Sequence, residues 1–359
     1  MESFKKRKEI EEAKQVGPYQ SLEDFYLGVD LFKQILTMEQ EELHFYTLGK
    51  IENYYPKEDI YYMDKEFIYA KGNIPVLLCA HLDTVHPTKP DLDTIFHDVE
   101  KGVMWSPLGI GGDDRCGVFN IFDILARGYL PHVIFSWDEE VGGVGASHFV
   151  ESSEKYFGES ISEKISEINF AIQFDRHGFS EAVYYELDSP QFENYISSFG
   201  FKTEWGTYTD ISEYCPAFGF AGVNIAAGYV NEHTNIEMIF LGEMLESQRK
   251  VLNILEDQIN SPEYFEYIEL PTATSWRGWE NYTSPSSYSF AKDNSYYFDD
   301  VSDGRDYTID DGHVDDPYHQ ECQYCMQTRG VVPWTYHEDP ILDTLCNECR
   351  EVFQSEAGI

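Results

Sequence analysis

The chain has 359 residues, of which 65 are Asp or Glu and 25 are Lys or Arg, so its formal net charge is -40. Because such a surface repels phosphate, nucleic acid is disfavoured as the main partner. No apolar run approaches the ~20 residues of a membrane span, and the first residues, MESFKKRKEIEEAK, lack the apolar core of a secretory signal. We therefore expect a cytoplasmic protein with no membrane partner.

The first two thirds of the chain alternate between helical and strand-like patterns. Apolar residues recur at helical spacing over 20–48, over 115–127, where Gly128 follows as a stop, and over 241–258. Short continuous apolar runs, typical of strands buried on both faces, occupy 74–80, 132–137, 168–174 and 220–227. This alternation predicts an α/β fold with a mixed, mostly parallel central sheet flanked by helices.

The composition changes at about residue 261. Residues 261–317 are rich in Tyr, Ser, Pro and Asp and show no periodicity. We expect an acidic, mostly irregular linker there, following an α/β domain formed by 1–260.

Polar side chains cluster where the predicted strands end. The segments are His81-Leu82-Asp83, Gly112-Asp113-Asp114-Arg115, Asp138-Glu139-Glu140, Asp175-Arg176-His177 and Glu232-His233. In an open α/β sheet these ends meet at one edge, where ligands bind. A single Asp or His there is usually a cap or a hydrogen-bonded bystander, but the repeated coincidence favours one shared site.

The residue types in this set suit a pair of metal ions. Zinc binds imidazole nitrogen and carboxylate oxygen. Two zinc ions ~3.5–4 Å apart need a bridging carboxylate and further ligands for each ion, together with a base for the water between them. The adjacent Glu139 and Glu140 fit the last two needs, since Glu140 can bind a metal while Glu139 takes the proton.

Five segments, HLDTV, GGDDRCG, DEEVGGVGA, FDR and EHTNIE, follow one another between about residues 74 and 240. Together they resemble the co-catalytic di-zinc exopeptidases, a superfamily that includes peptidase T-like enzymes, glutamate carboxypeptidases, deacetylases and zinc aminopeptidases. The resemblance implies two divalent ions, zinc or alternatively cobalt or manganese. It assigns one metal to His81 and Asp175, the other to Glu140 and His233, and the bridge to Asp113.

The same resemblance gives roles to two further carboxylates. Asp83 would orient the imidazole of His81, and Glu139 would be the general base. Asp113 is chosen over Asp114 as the bridge because it stands two residues before Arg115, as in the family's Asp-x-Lys/Arg pattern.

The spacing of the motifs leaves little room for an inserted lid domain. Only 57 residues separate Asp175 from His233, and only 31 separate His81 from Asp113. We therefore expect a compact catalytic domain without the insertion that many relatives carry.

Four cysteines near the C-terminus form a second cluster, at Cys322, Cys325, Cys346 and Cys349. Their spacing, C-x2-C-x20-C-x2-C, predicts a zinc ribbon or knuckle over 318–359 with one structural zinc. Two disulfides are the competing interpretation, which conflicts with the missing secretory signal. The acidic surroundings favour a protein partner for this module over nucleic acid.

The sequence thus predicts a metal-dependent exopeptidase of aminopeptidase, dipeptidase or carboxypeptidase type. It would hydrolyse a peptide or N-acyl amino acid by means of a metal-bridging water activated by Glu139. One alternative is an N-deacylase or amidohydrolase of a small metabolite. Another is a non-catalytic binding protein that acts through its zinc module.

Overall fold

The structure is a computed structural model that describes residues 22–206 and 208–270. The greater part of the predicted linker and the four-cysteine module at 318–359 lie outside the described residues.

The helices of the described chain carry most of the predicted helical patterns. They are α1 (Leu22–Thr37), α2 (Gln40–Ile51), α3 (Gly112–Ala126), α4 (Val144–Ser152), α5 (Glu159–Ile165), α6 (Pro190–Ser198), α7 (Ile211–Phe218) and α8 (Leu241–Asn260). The pattern over 20–48 is two helices, because the chain leaves the helical conformation before Gln40, where Glu39 is extended. No helix in the described part of the chain is long and apolar enough to cross a membrane.

The strands include the four that the apolar runs predict and several short ones. They are β1 (Ile60–Met63), β2 (Phe67–Ala70), β3 (Ile74–His81), β4 (Phe96–Asp98), β5 (Val103–Trp105), β6 (Pro131–Ser136), β7 (Phe170–Arg176), β8 (Glu181–Val183), β9 (Lys202–Thr203), β10 (Ala221–Ala226), β11 (Tyr229–Val230) and β12 (Met238–Phe240).

Eight strands form the main sheet, in the order β1-β2-β6-β3-β7-β10-β8-β9. The four central strands β6, β3, β7 and β10 are parallel to their neighbours within that group. The outer pairs β1–β2, β2–β6 and β10–β8 are antiparallel. This confirms the predicted mixed, mostly parallel α/β sheet.

Helices cover both faces of this sheet, which explains the continuous apolar runs. One core joins the sheet to the first three helices and to α6 and α8, and contains Phe32, Phe119 and Ile254. The other joins it to α4, α5 and α7, and contains Phe149, Ile161 and Tyr214. Strands β6 and β10 are buried along their whole length.

A second, antiparallel sheet has the order β11-β12-β5-β4. Here Met238 pairs with Trp105 and Tyr229 pairs with Ile239. The small sheet therefore brings the turn between β11 and β12, which carries His233, towards the segment that leads into α3.

The packed chain continues beyond the end of α8. Phe265 is buried, and its backbone bonds with Asn169 and Ala221 at the start of β7 and β10. Isolated bridges pair Glu266 with Phe220 and Glu269 with Leu187. Residues 265–270 thus pack against the main sheet, although the sequence places them in the linker.

Candidate metal centre and active site

Asp113 lies between two imidazoles at the carboxyl edge of the main sheet. Its Oδ1 is 3.1 Å from Nε2 of His81, the last residue of β3, and its Oδ2 is 3.1 Å from Nε2 of His233. The two oxygens of one carboxylate therefore face two different histidines, as a bridging carboxylate would.

A further carboxylate accompanies each histidine. Asp175 Oδ1 is 3.3 Å from Nε2 of His81, and Glu140 Oε2 is 3.1 Å from Nε2 of His233. Potential ligand atoms of His81, Asp113 and Glu140 all lie within 4.8 Å of one another. The structure thus brings the five predicted ligands together as two pairs that share Asp113.

One oxygen in this cluster is buried without a partner. Glu140 Oε1 has no hydrogen bond, although solvent does not reach it. An anionic oxygen buried in this way is costly unless a donor or a cation balances it. The donor set of imidazole nitrogens and carboxylate oxygens is the one that zinc accepts, so the residues fit a metal at this place.

Asp83 connects the end of β3 to the turn after β6. Its Oδ1 is 3.1 Å from Nδ1 of His81, and its two oxygens accept the backbone N–H groups of Glu139 and Glu140 at 3.0 Å each. Asp83 therefore fixes the ring of His81 with Nε2 facing Asp113, and it anchors the two glutamates relative to that ring.

The neighbouring Asp114 has different contacts from Asp113. It is fully buried, and its oxygens accept the backbone N–H groups of His81 at 3.2 Å and Gly117 at 2.9 Å. Asp114 therefore holds the first turn of α3 against β3 and does not lie between the imidazoles.

The charges of the cluster strongly favour bound cations or protons. Burial alone would lower the pKa of His81, but hydrogen bonds to Asp113, Asp175 and Asp83 outweigh it and raise the pKa well above 6.5. Hydrogen bonds with Asp113 and Glu140 raise the pKa of His233 to about 11. Burial, together with the charge of Asp113, raises the pKa of Asp175 to about 6.

The carboxyl group of Glu139, near the five predicted ligands, is strongly perturbed by its surroundings. Burial, followed by repulsion from Asp175, raises its pKa to about 10. Glu139 lies in a turn that is closed by bonds from Gly142 and Gly143 to its carbonyl oxygen, at 2.9 Å each. The carboxyl group of Glu139 interacts electrostatically with Asp175, His81 and Asp113.

Sequence reasoning assigned no role to Glu237, although this residue ends the EHTNIE segment. Its side chain is fully buried; Oε2 accepts the N–H of Gly111 at 2.8 Å and Oε1 accepts that of Asp113 at 3.0 Å. Oε2 is also 2.9 Å from Nε2 of His86. Glu237 thus ties the turn of His233 to the backbone of Asp113, a role that its position four residues after His233 indicates only in retrospect.

Two further polar residues hold Asp175, and sequence reasoning missed both. The Thr209 hydroxyl donates to Asp175 Oδ2 at 2.5 Å, and Asn224 Oδ1 accepts the Asp175 N–H at 2.9 Å. Thr209 precedes α7 and Asn224 lies inside a buried strand, so neither stands out in the sequence.

No protein-family model matches the chain. No curated protein matches it either. Among solved structures, it is similar to aminopeptidase PepT from Bacillus cereus, at 13% identity and a TM-score of 0.49, over 65% of this chain and 98% of that one. It is also similar to a tripeptidase from Staphylococcus aureus, at 12% identity and a TM-score of 0.48, over 65% and 98% of the two chains.

A third similar structure is aminopeptidase APDkam598 from the archaeon Desulfurococcus kamchatkensis, at 14% identity and a TM-score of 0.48, over 65% and 95% of the two chains. At these identities and TM-scores, the activity of the chain has to be inferred from its own residues.

Proposed function

We propose that the chain is a metal-dependent hydrolase of peptide or amide bonds, of the exopeptidase type. The observation that carries this proposal is the position of Asp113, whose two oxygens each lie 3.1 Å from a different histidine. A carboxylate with that environment, flanked by one more carboxylate on each side, suits a pair of metal ions.

The residues would divide between two ions. His81 and Asp175 would hold one, Glu140 and His233 the other, and Asp113 would bridge them. Zinc fits these nitrogen and oxygen donors, with cobalt or manganese as alternatives. When bound, the ions would polarise the scissile carbonyl and lower the pKa of a shared water.

Glu139 would act as the general base. Its carboxylate would take a proton from the attacking water and pass it to the leaving amine. Its pKa is raised mainly by burial and by the charge of Asp175. Positive charge in the pocket would lower that pKa towards the range in which a base works. Asp83 would hold the ring of His81 and the backbone of Glu139 in fixed positions relative to each other.

Two alternatives to an exopeptidase are an amide hydrolase of another type and a non-catalytic protein. An N-deacylase or amidohydrolase would use the same residues and differ only in the acyl group and amine that it accepts. A non-catalytic protein that acts through a zinc module at 318–359 would have no use for a buried glutamate beside the metal ligands.

Metal loading and substrate screening test the proposal. The full chain, loaded with zinc, cobalt or manganese, should hold about two ions in this site and hydrolyse some free or blocked dipeptides or N-acyl amino acids. The blocked end that abolishes turnover distinguishes aminopeptidase, carboxypeptidase and deacylase. Full metal occupancy without hydrolysis of any of these would contradict the hydrolase proposal.

A further inference from the structure

Arg176 follows Asp175 directly at the end of β7, so a permanent positive charge lies one residue from a candidate metal ligand. The described chain has three other arginines, and each has a clear structural role. These are Arg127 and Arg249, paired with Asp123 and Glu246, and the fully buried Arg115, which donates to the carbonyls of Met38 and Leu82.

The guanidinium of Arg176 makes a single hydrogen bond within the described residues. Nη2 donates to the carbonyl oxygen of Trp205 at 3.3 Å, while Nε is buried and has no hydrogen-bond partner. Within residues 22–206 and 208–270, no carboxylate forms an ion pair with it. Because a guanidinium presents a planar fork of N–H donors, the Nη donors that Trp205 does not occupy are available to a ligand.

Tyr185 and Asn224 link this group to Asp175. Asn224, which holds Asp175, also donates to the hydroxyl of Tyr185 at 3.0 Å. Burial and then the charge of Asp175 raise the pKa of Tyr185, whereas the charge of Arg176 lowers it, so one phenol lies within reach of both charges. The indole of Trp205, beside Arg176, is 78% exposed and offers apolar surface to a substrate.

We propose that Arg176 binds a carboxylate of the substrate, so that the preferred substrates are amides with a free carboxylate. This class contains dipeptides, peptides cleaved at their C-terminal residue, and N-acyl amino acids. Arg binds carboxylates in a bidentate, charge-assisted manner, which suits a specificity contact. The inference rests on the proposed hydrolase function and narrows it.

Recognition of a substrate's free amine has weaker support at this site. It needs an available carboxylate at the rim, and the half-buried candidate there is Glu232, beside His233. Glu232 Oε1 is already 2.5 Å from Nδ1 of His177. Because Glu232 is already paired with His177, the site is better suited to bind the carboxylate end of a substrate than its amine end.

Calorimetric titration of the full metal-loaded chain with N-acetyl-leucine and N-acetyl-leucinamide tests the inference without requiring turnover. We expect the wild type to bind the acid about tenfold or more tightly than the amide, as for a charge-assisted contact. Arg176→Gln should remove this preference and leave amide binding unchanged. Arg176→Lys should restore part of it, and the control Arg249→Gln should leave it intact.

Three outcomes would overturn the inference. In the first, the wild type fails to bind the acid more tightly than the amide. In the second, Arg176→Gln weakens the binding of both probes alike, as a structural role would. In the third, binding of the acid does not change in Arg176→Gln. Kinetics separate this inference from the hydrolase proposal. Hydrolysis without preference for a free carboxylate would contradict this inference but not the hydrolase proposal. Arg176-dependent binding of the acid without any hydrolysis would contradict the hydrolase proposal but not this inference.

Discussion

Glu139 and Glu140 are neighbours in the chain but have different surroundings. Glu140 Oε2 contacts His233 at 3.1 Å, whereas Glu139 is distinguished by burial and by repulsion from Asp175. We predict that Glu140→Ala lowers the metal content, because it removes a ligand. Glu139→Gln should retain the metals and the fold but lower kcat about 10²–10⁴-fold, the usual cost of losing a general base.

Metal content by elemental analysis, measured beside turnover for both variants, checks these roles. If Glu139→Gln loses a metal and Glu140→Gln does not, the two assignments are reversed. A fold readout such as circular dichroism excludes unfolding as the cause of lost activity.

The side chain of Glu237 accepts hydrogen bonds from the backbone N–H groups of Gly111 and Asp113. An amide in its place keeps the shape but has a single acceptor oxygen, so Glu237→Gln should leave one buried N–H of Gly111 or Asp113 unpaired. We predict a loss of about 1–3 kcal/mol in the free energy of unfolding, the cost of an unsatisfied buried group. Metal affinity should fall as well, since the proposed bridging carboxylate loses its support.

Urea unfolding and a competitive chelator titration measure the two effects. Glu204→Gln, at an exposed position, is the matched control and should change neither quantity. Unchanged metal affinity in a destabilised Glu237→Gln protein would limit Glu237 to a structural role.

Strands β2 and β6 hold a titratable group away from the proposed metal ligands. His132 in β6 is 1% exposed, and its Nδ1 is 2.8 Å from the hydroxyl of Tyr69 in β2. Burial lowers the pKa of His132 from 6.5 to about 3. The folded state therefore holds this ring neutral at pH values where the unfolded chain protonates it.

The sign of the pH effect follows from that difference. The contribution of His132 is fully present above pH 6.5 and is lost as the pH falls from 6.5 towards 3. We predict that the titration of His132 alone lowers the free energy of unfolding by about 2 kcal/mol between pH 6.5 and 5, at ~1.4 kcal/mol per pH unit. His132→Phe removes the titration, so the free energy of unfolding of this variant should fall less than that of the wild type over that interval. An identical slope in both proteins would contradict the prediction.

The packing of the described chain depends on residues after α8. Phe265 is 5% exposed and packs on the aromatic rings of Phe170, Phe192 and Tyr195. A chain that ends at residue 260 should therefore unfold more easily than one that ends at Leu270. We expect a difference of about 3 kcal/mol or more, similar to the loss of a buried Phe side chain.

Thermal and urea unfolding of the two truncated chains measure this difference. Equal stability would mean that residues 261–270 lie on the sheet without contributing to it. Phe265→Ala in the longer chain should reproduce most of the loss.

The four-cysteine cluster lies outside the described residues, and its zinc stays a prediction from spacing. Elemental analysis of the full chain and of a chain lacking residues 318–359 should differ by about one zinc, since such a module binds a single ion through four thiolates. Equal zinc content would contradict the assignment of Cys322, Cys325, Cys346 and Cys349.

The elements that have a local periodic signal could be predicted from the amino-acid sequence. The apolar runs at 74–80 and 220–227 became buried strands β3 and β10 because a strand covered on both faces must be apolar throughout. The order of the site motifs also follows from sequence, since parallel strands bring their carboxyl ends to one edge.

The way in which those motifs are brought together depends on long-range contacts that have no local signal. The strands β5 and β12 are three residues long and far apart in the chain, too short for any periodic pattern, yet their pairing brings the turn of His233 towards α3. The Asp-x-Arg pattern distinguishes Asp113 from Asp114, but the contacts of the two residues differ because the imidazoles lie on one side and the β3 backbone on the other. Periodicity reports the face that a residue buries, whereas the partner of a buried carboxylate depends on chain segments that meet only after folding.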